Sequence, residues 1–299
     1  MNPQLNRRRA LGALLALTAG TVACQRIATA VPDLPDDELR GLEQRYGAKI
    51  GLFAIDLNSS ATVSNRADDR FSMCSTFKAY AAARVLQLVD NGQLRLDTPV
   101  PVAERDVVTY SPVTAPRAGS DMALAEVCSA ALVHSDNTAG NLLLRLIGGP
   151  PAITTFARSV ADDQSRLDRW ETELNSATPG DPRDTTTPRA LGHGYREVLT
   201  GRALSAGAKD HLLDWMRENV TSGKRFRAAL PSGWTSADKT GGGDYGSTND
   251  SGLLIGPAGQ RLVVTVLTRS LDDRKDAGPF NDAIADAVRV TLRRLGHAP

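Results

Sequence analysis

Strand-like segments near both ends of the chain, with helical segments between them, predict an α+β protein. One antiparallel sheet is expected from both chain ends, flanked by helices and carrying an inserted all-helical lobe. Three observations support this. Lys49 to Leu57 is an apolar, β-type run closed by the turn signal Asn58-Ser59-Ser60. Ser236 to Thr240, Gly252 to Ile255 and Arg261 to Thr268 repeat that character late in the chain, separated by Gly-rich and Pro-Ala-Gly turns. Between the two groups, apolar residues recur at spacings of three and four.

In chain order, Asp33 to Tyr46 reads as a helix, with acids in its first turn and Leu39, Leu42 and Tyr46 at helical spacing. Ala61 to Val63 is a short strand that completes a hairpin with Lys49 to Leu57. From Ser75 the period changes to that of a helix through Ala79, Ala82, Ala83, Leu86 and Val89, with Asn91-Gly92 as the stop. Helical patterns continue through Leu124 to Val133, Thr138 to Ile147 and Ala208 to Asn219, and a last helix closes the chain over Asn281 to Leu295. Residues 31–70 and 226–299 are thus assigned to a sheet lobe and 71–225 to a helical lobe, with a ligand cleft between them. Arg166 to Pro188 fits neither pattern, and contains Pro179, Gly180 and Pro182. Irregular segments beyond ~12–15 residues are usually functional or disordered. Leu167, Trp170 and Leu174 are expected to pack this one down as an ordered Ω-type loop.

The 299 residues are 41% apolar but only 5% aromatic, so Ala, Leu and Val must fill most of a large core. The formal charge of +1, less the +3 of Arg7, Arg8 and Arg9, leaves −2 beyond the first 23 residues. That excludes a strongly basic nucleic-acid footprint. Arg7-Arg8-Arg9 followed by the uncharged stretch Ala10 to Ala23 is the pattern of an export signal, here assigned to residues 1–30, and the arginines also fit a twin-arginine signal. Thr21-Val22-Ala23-Cys24 resembles a lipoprotein cleavage box, which makes Cys24 a lipidation candidate. Simple cleavage near Ala28 to Ala30 is the alternative. The protein is expected outside the cytoplasm, in the periplasm, on the outer face of the envelope or secreted, touching membrane only through such an anchor.

Cys74 and Cys128 then remain, too few for a disulfide framework. His134, His193, His211 and His297 are scattered, so no metal site is expected, and no cofactor.

Four short motifs carry chemistry. In Ser75-Thr76-Phe77-Lys78 the helical spacing of three places an amine beside a hydroxyl, and a serine needs a neighbouring base to become a nucleophile. Ser75 also lies at a helix N-terminus, which favours developing negative charge. Ser135-Asp136-Asn137 lies between two helix ends, where it also fits an ordinary cap. Lys239-Thr240-Gly241 ends a strand and runs into Gly242-Gly243, allowing a ligand close to the backbone. Glu171 and Asn175 lie in the irregular loop, where a carboxylate held near serine and lysine could act as a general base through water.

The first three motifs form the set shared by class A β-lactamases and penicillin-binding proteins. From about Asp33 to the C-terminus the chain resembles class A β-lactamases, with further likeness in Glu171-x-x-Leu174-Asn175, Gly148-Gly149-Pro150, Tyr110-Ser111-Pro112 and Asn249-Asp250. The resemblance implies a β-lactamase/transpeptidase-like fold and a monomer that binds β-lactam substrates and inhibitors. It implies hydrolysis of penicillins and cephalosporins, and hence antibiotic resistance. Ser75 would be acylated, with Lys78 or Glu171 as base, an open question for the family. The N–H groups of Ser75 and Gly242 would form the oxyanion hole. Ser135 would protonate the lactam nitrogen, and Lys239 would keep the field positive. Thr240, with Gly241 and Gly242 on the same strand, would bind substrate through its carboxylate. Asn137 would hold the acylamide side chain and Tyr110 would wall the cleft. Glu171 and Asn175 would hold the deacylating water, with Asn141 buttressing Glu171 and an Arg169–Asp184 ion pair clamping the loop.

The chain departs from common members in three places. Thr248 stands where many have an arginine, and Arg225 would supply the guanidinium instead, as in a subset of the family. Ala82 replaces the cysteine that pairs with the equivalent of Cys128 in some members, implying a free thiol. Gly243 stands where disulfide-bearing carbapenem-hydrolysing members have the partner of Cys74. Two rivals are a cell-wall D,D-peptidase and a non-enzymatic penicillin sensor or scaffold. The Glu171/Asn175 pair argues against the first, and the intact set of catalytic positions against the second.

Overall fold

Residues 37–298 are described by a computed structural model. The expected export signal, Cys24 and the first residues of the Asp33–Tyr46 helix lie outside them. The chain runs through α1 (Asp37–Tyr46), β1 (Ala48–Asp56), β2 (Thr62–Asn65), β3 (Phe71–Ser72), α2 (Phe77–Asp90), β4 (Pro99–Val102) and β5 (Ser120–Ala123). It continues through α3 (Leu124–Val133), α4 (Asn137–Ile147), α5 (Pro150–Ser159), β6 (Thr185–Thr186), α6 (Pro188–Thr200) and α7 (Ala206–Arg217). It closes with α8 (Phe226–Ala229), β7 (Thr235–Gly242), β8 (Thr248–Ile255), β9 (Arg261–Ser270) and α9 (Asn281–Arg294).

The two chain ends meet in one antiparallel five-stranded sheet of order β2-β1-β9-β8-β7, as expected. β1 and β9 pair along their length, from Ala48 opposite Ser270 to Asp56 opposite Leu262. The strand's period of two divides β1 between two cores. Ile50, Leu52 and Ala54 pack with Leu39, Ile284 and Val288 from α1 and α9, whereas Phe53 and Ile55 belong to the core shared with the helices. With both faces covered, β1 reads as a nearly continuous apolar run.

On that second side α2 is the axis, buried from Phe77 through Ala83 and again at Val85 and Leu86. A helix buried on almost every side must be small as well as apolar, and its run of alanines lets α3, α4, α5 and α7 close around it. Cys74 and Cys128 are both buried and free.

Three features differ from the sequence expectations. Helices α5 and α6 went unread because Pro150 and Pro188 look like breakers. Each instead occupies the start of its helix, where a missing N–H costs nothing. The middle region is also not purely helical, since β4 pairs with β5 and β3 with β6. Finally, Trp170 packs the loop down only in part. The residue stays 39% exposed with its ring over Gly149, and the main anchors are the buried Leu167 and Leu174.

Close approach across β1 requires glycine at position 51, where a Cβ would overlap the Phe71 ring and Pro188. Gly51→Ala is expected to lower unfolding free energy by about 1–3 kcal/mol, measured by chemical denaturation; an unchanged midpoint would contradict this packing.

Candidate active site

Ser75 sits in the 3-10 turn Cys74–Thr76 that leads into α2, one step before the helix rather than within it. Lys78 lies on the first turn of α2, and its Nζ donates to Ser75 Oγ at 3.0 Å. The same Nζ donates to the Ser135 carbonyl at 2.8 Å and to Asn137 Oδ1 at 2.7 Å. Its fourth neighbour is Glu171 Oε1 at 2.9 Å, and neither side chain of this ion pair has any solvent exposure. Burial pulls the Lys78 amine below its usual pKa, while the Glu171 carboxylate opposes that shift. Ser75 Oγ donates to Glu171 Oε1 at 3.0 Å.

The loop delivers Glu171 by specific fastening. Asp184 Oδ1 accepts from the backbone N–H groups of Asp168 and Arg169, and its Oδ2 pairs with Arg169 Nε at 2.6 Å. Asn141 on α4 makes a two-way bridge, donating to the Glu171 carbonyl and accepting from its N–H, both at 2.9 Å. A 3-10 turn over Glu173–Ser176 brings Asn175 Nδ2 to Glu171 Oε2 at 2.5 Å. Asn175 Oδ1 is buried and meets no donor among the described residues.

The Ser135-Asp136-Asn137 turn is fixed by Asp136, which caps α4 through Ala139 N–H and also accepts from the N–H groups of Val113 and Thr114. Asn137 Nδ2 donates to the Thr109 carbonyl and its N–H to that of Tyr110, whose side chain is 58% exposed at the rim. Cys74, Ser135 and Tyr110 all have positive φ, at 45°, 58° and 61°. Such backbone costs of order 1–3 kcal/mol per residue and persists where surrounding bonds enforce it.

β7 closes the opposite side. A Cβ on Gly241 would stand 3.0 Å from the Met73 carbonyl oxygen and 3.1 Å from Cys74 Cβ, so glycine lets this strand reach the serine turn. Gly242 is the strand's exposed last residue. Asn249 ties β8 to the same turn, donating from Nδ2 to the carbonyls of Ser72 and Met73. Lys239 Nζ donates to Ser135 Oγ and to the Thr240 carbonyl, both at 2.8 Å. Burial and the neighbouring Lys78 charge push its pKa far down.

Arg225 precedes α8, yet its Nη1 donates to the carbonyls of Gly241 at 2.8 Å and Asn249 at 2.7 Å, beside Thr248. Burial lowers its pKa, with Asp250 opposing. Gly243 faces Cys74, whose thiol burial raises to about 12. The sequence-selected residues of the cleft and its loop therefore converge, while Cys24 lies outside the described residues. Asn219, Thr221 and Ser222 were missed. They follow α7 as an ordinary polar helix exit, and only the fold sets them against Asp238, Thr240 and Asp250.

A serine hydroxyl shared by an amine and a carboxylate, beside the edge strand of the sheet, fits a class of serine enzymes working by nucleophilic attack. The sequence pattern of the β-lactamase enzyme family matches residues 34–292. β-Lactamase FAR-1 of Nocardia farcinica is 43% identical, over 86% of this chain and 82% of its own length. The carbapenem-hydrolysing β-lactamase KPC of Klebsiella oxytoca is 42% identical, over 90% and 92%. The crystal structure of a β-lactamase from Desulfarculus baarsii superposes with a TM-score of 0.84 at 44% identity, covering 87% of this chain and 96% of that one. The chain belongs to the β-lactamase enzyme family, in its class A serine branch.

Asp184→Asn removes the charge that Arg169 faces. It is expected to cost about 3 kcal/mol and to speed amide exchange across residues 166–187; unaltered exchange there would show that the clamp does not hold the loop.

Proposed function

We propose that this enzyme hydrolyses the β-lactam amide of penicillins and cephalosporins through an acyl-enzyme on Ser75, released by a Glu171-activated water. One observation carries the reading: Glu171 lies within hydrogen-bond reach of Ser75 Oγ while its other oxygen is held by Asn175.

Lys78 already donates to three acceptors, which suits an ammonium with no lone pair left for a proton. Ser75 directs its own hydrogen to Glu171, so Glu171 is the base favoured here for attack on the lactam carbonyl. The Ser75 and Gly242 N–H groups would receive the oxyanion, a contact worth about 10²–10³ in rate. Ser135 Oγ passes its hydrogen to the lactam nitrogen as the ring C–N bond breaks, and the adjacent Lys239 ammonium replaces it. Thr240 and the field of Lys239 and Arg225 hold the substrate carboxylate, and Asn137 and Tyr110 hold its side chain.

Once Ser75 is esterified, Glu171 gives up the proton it took in acylation, which returns through solvent to Lys239, and its Oε1, again a carboxylate oxygen, is released to a water. The Asn175 Oδ1 beside it, which meets no donor among the described residues, accepts that water's second hydrogen. Glu171 takes one proton as the water attacks the ester and passes it to the departing Ser75 oxygen, which recovers its hydroxyl. A peptidase or a penicillin sensor shares the first half of this sequence but needs no such carboxylate–amide pair. All these groups lie on one chain, consistent with a monomer. The proposed setting is outside the cytoplasm, reached by the N-terminal signal with or without lipid on Cys24, where the activity confers β-lactam resistance.

Parent enzyme should turn over benzylpenicillin and a chromogenic cephalosporin many times; a single stoichiometric burst would favour the rivals. Glu171→Gln is expected to lower steady-state kcat about 10²–10⁴-fold and to retain substrate mass on the protein in intact-mass spectra. Normal turnover by that variant would remove Glu171 from deacylation. Arg225→Ala should raise KM for penicillins and weaken clavulanate-type inhibitors by about ten-fold or more; unchanged constants would refute its electrostatic role.

A further inference from the structure

We propose that Thr221, which lies in none of the motifs, sets the direction of the Thr240 hydroxyl hydrogen and thereby sharpens selection of substrates with a free carboxylate. The proposal rests on the reading of Thr240 as a carboxylate ligand.

The argument is a count of hydrogens. Asn219 is fully buried, and its Nδ2 donates to Asp238 Oδ1 at 2.5 Å and to the Asp238 carbonyl at 3.2 Å. Its Oδ1 accepts from Thr221 N–H at 2.9 Å. A backbone N–H can only donate, so the amide has one orientation. Thr221 Oγ1 lies 2.6 Å from the same Asn219 Oδ1, which can only accept. The single hydroxyl hydrogen of Thr221 is therefore committed to Asn219. Thr240 Oγ1 lies 2.5 Å from Thr221 Oγ1, and two oxygens so close need a hydrogen between them. Only that of Thr240 remains. In the free enzyme Thr240 thus points its hydrogen inward and its lone pairs toward the cleft.

A carboxylate is an acceptor and cannot use lone pairs. For it to bind, the Thr240 hydrogen turns outward and the Thr221 hydrogen turns from Asn219 to Thr240. Asn219 Oδ1 still keeps the Thr221 N–H, so the exchange gives up one internal bond. In return Thr240 both accepts and donates, which strengthens its outward bond. A charged acceptor, roughly twice as strong as a neutral one, drives this reversal better than an ester does. Thr221 is a positioning residue, acting only through Thr240. The far end of the chain is rigid: Ser236 Oγ donates to Asp238 Oδ2, and Arg227 lies 3.6 Å from it, so the aspartate cannot turn with the hydroxyls.

The test compares benzylpenicillin with its methyl ester in parent, Thr221→Val, Thr221→Ala and Thr221→Ser, with KM and kcat measured separately. In Val and Ala the inward acceptor is gone and the ester no longer meets a misdirected hydroxyl, while the acid loses the strengthened bond. The ratio of ester KM to acid KM should fall about two- to ten-fold, with Ser keeping the parent ratio. A Val or Ala ratio equal to the parent's, or a Ser ratio matching Val, would overturn the relay while hydrolysis stands. A parent that hydrolyses neither compound overturns the reading beneath it, and the relay with it.

Discussion

The ion pair between Lys78 and Glu171, sealed from solvent at 2.9 Å, is the constraint around which the site is built. Removing two charges from water costs several kcal/mol per ion, and their attraction repays it only with good geometry and further hydrogen bonds. Those bonds are present. The Ser135 carbonyl, Asn137 Oδ1 and Ser75 Oγ complete the shell of Lys78, while Asn175 and Ser75 serve Glu171. The same contacts that make the charges tolerable also place a serine hydroxyl between an amine and a carboxylate, so the bonds that stabilise the pair are those the proposed chemistry would use.

The carboxylate of that pair comes from a segment with no regular structure to hold it. The loop substitutes discrete fastenings for a helical or strand ladder: Asp184 gathers two backbone N–H groups and a guanidinium, Asn141 grips the backbone of Glu171, and Leu167 and Leu174 enter the core. Irregular backbone is tolerated in the interior when its polar groups are accounted for one by one. The positive φ values of Cys74, Ser135 and Tyr110 belong to the same economy, since each strained residue adjoins a bond that fixes it.

The sheet edge contributes a second, separately wired half. Lys239 and Thr240 reach the cleft from β7, but their surroundings come from the stretch after α7 and from β8. Asp238 and Asp250 lie beside them with pKa values raised by burial, and the Arg225 guanidinium opposes that shift at Asp250. Arg225 joins this half from outside the sheet, its guanidinium held by the carbonyls of Gly241 on β7 and Asn249 on β8.

The amino-acid sequence alone determined what depends on neighbours a few residues apart. Helical spacing brings Lys78 to Ser75, and short apolar β-type runs with their turn residues located the sheet at both chain ends, because these follow from local backbone geometry. The family motifs likewise made Glu171, Asn175 and Arg225 legible as candidates. Tertiary structure decided the rest. It set Glu171 against a serine 96 residues away, left Trp170 only partly covered, made Pro150 and Pro188 helix starts rather than breaks, and joined Asn219 and Thr221 to Thr240. Long-range hydrogen bonds have no period along a chain, so their partners appear only once the cores have closed and each buried polar group has found its match.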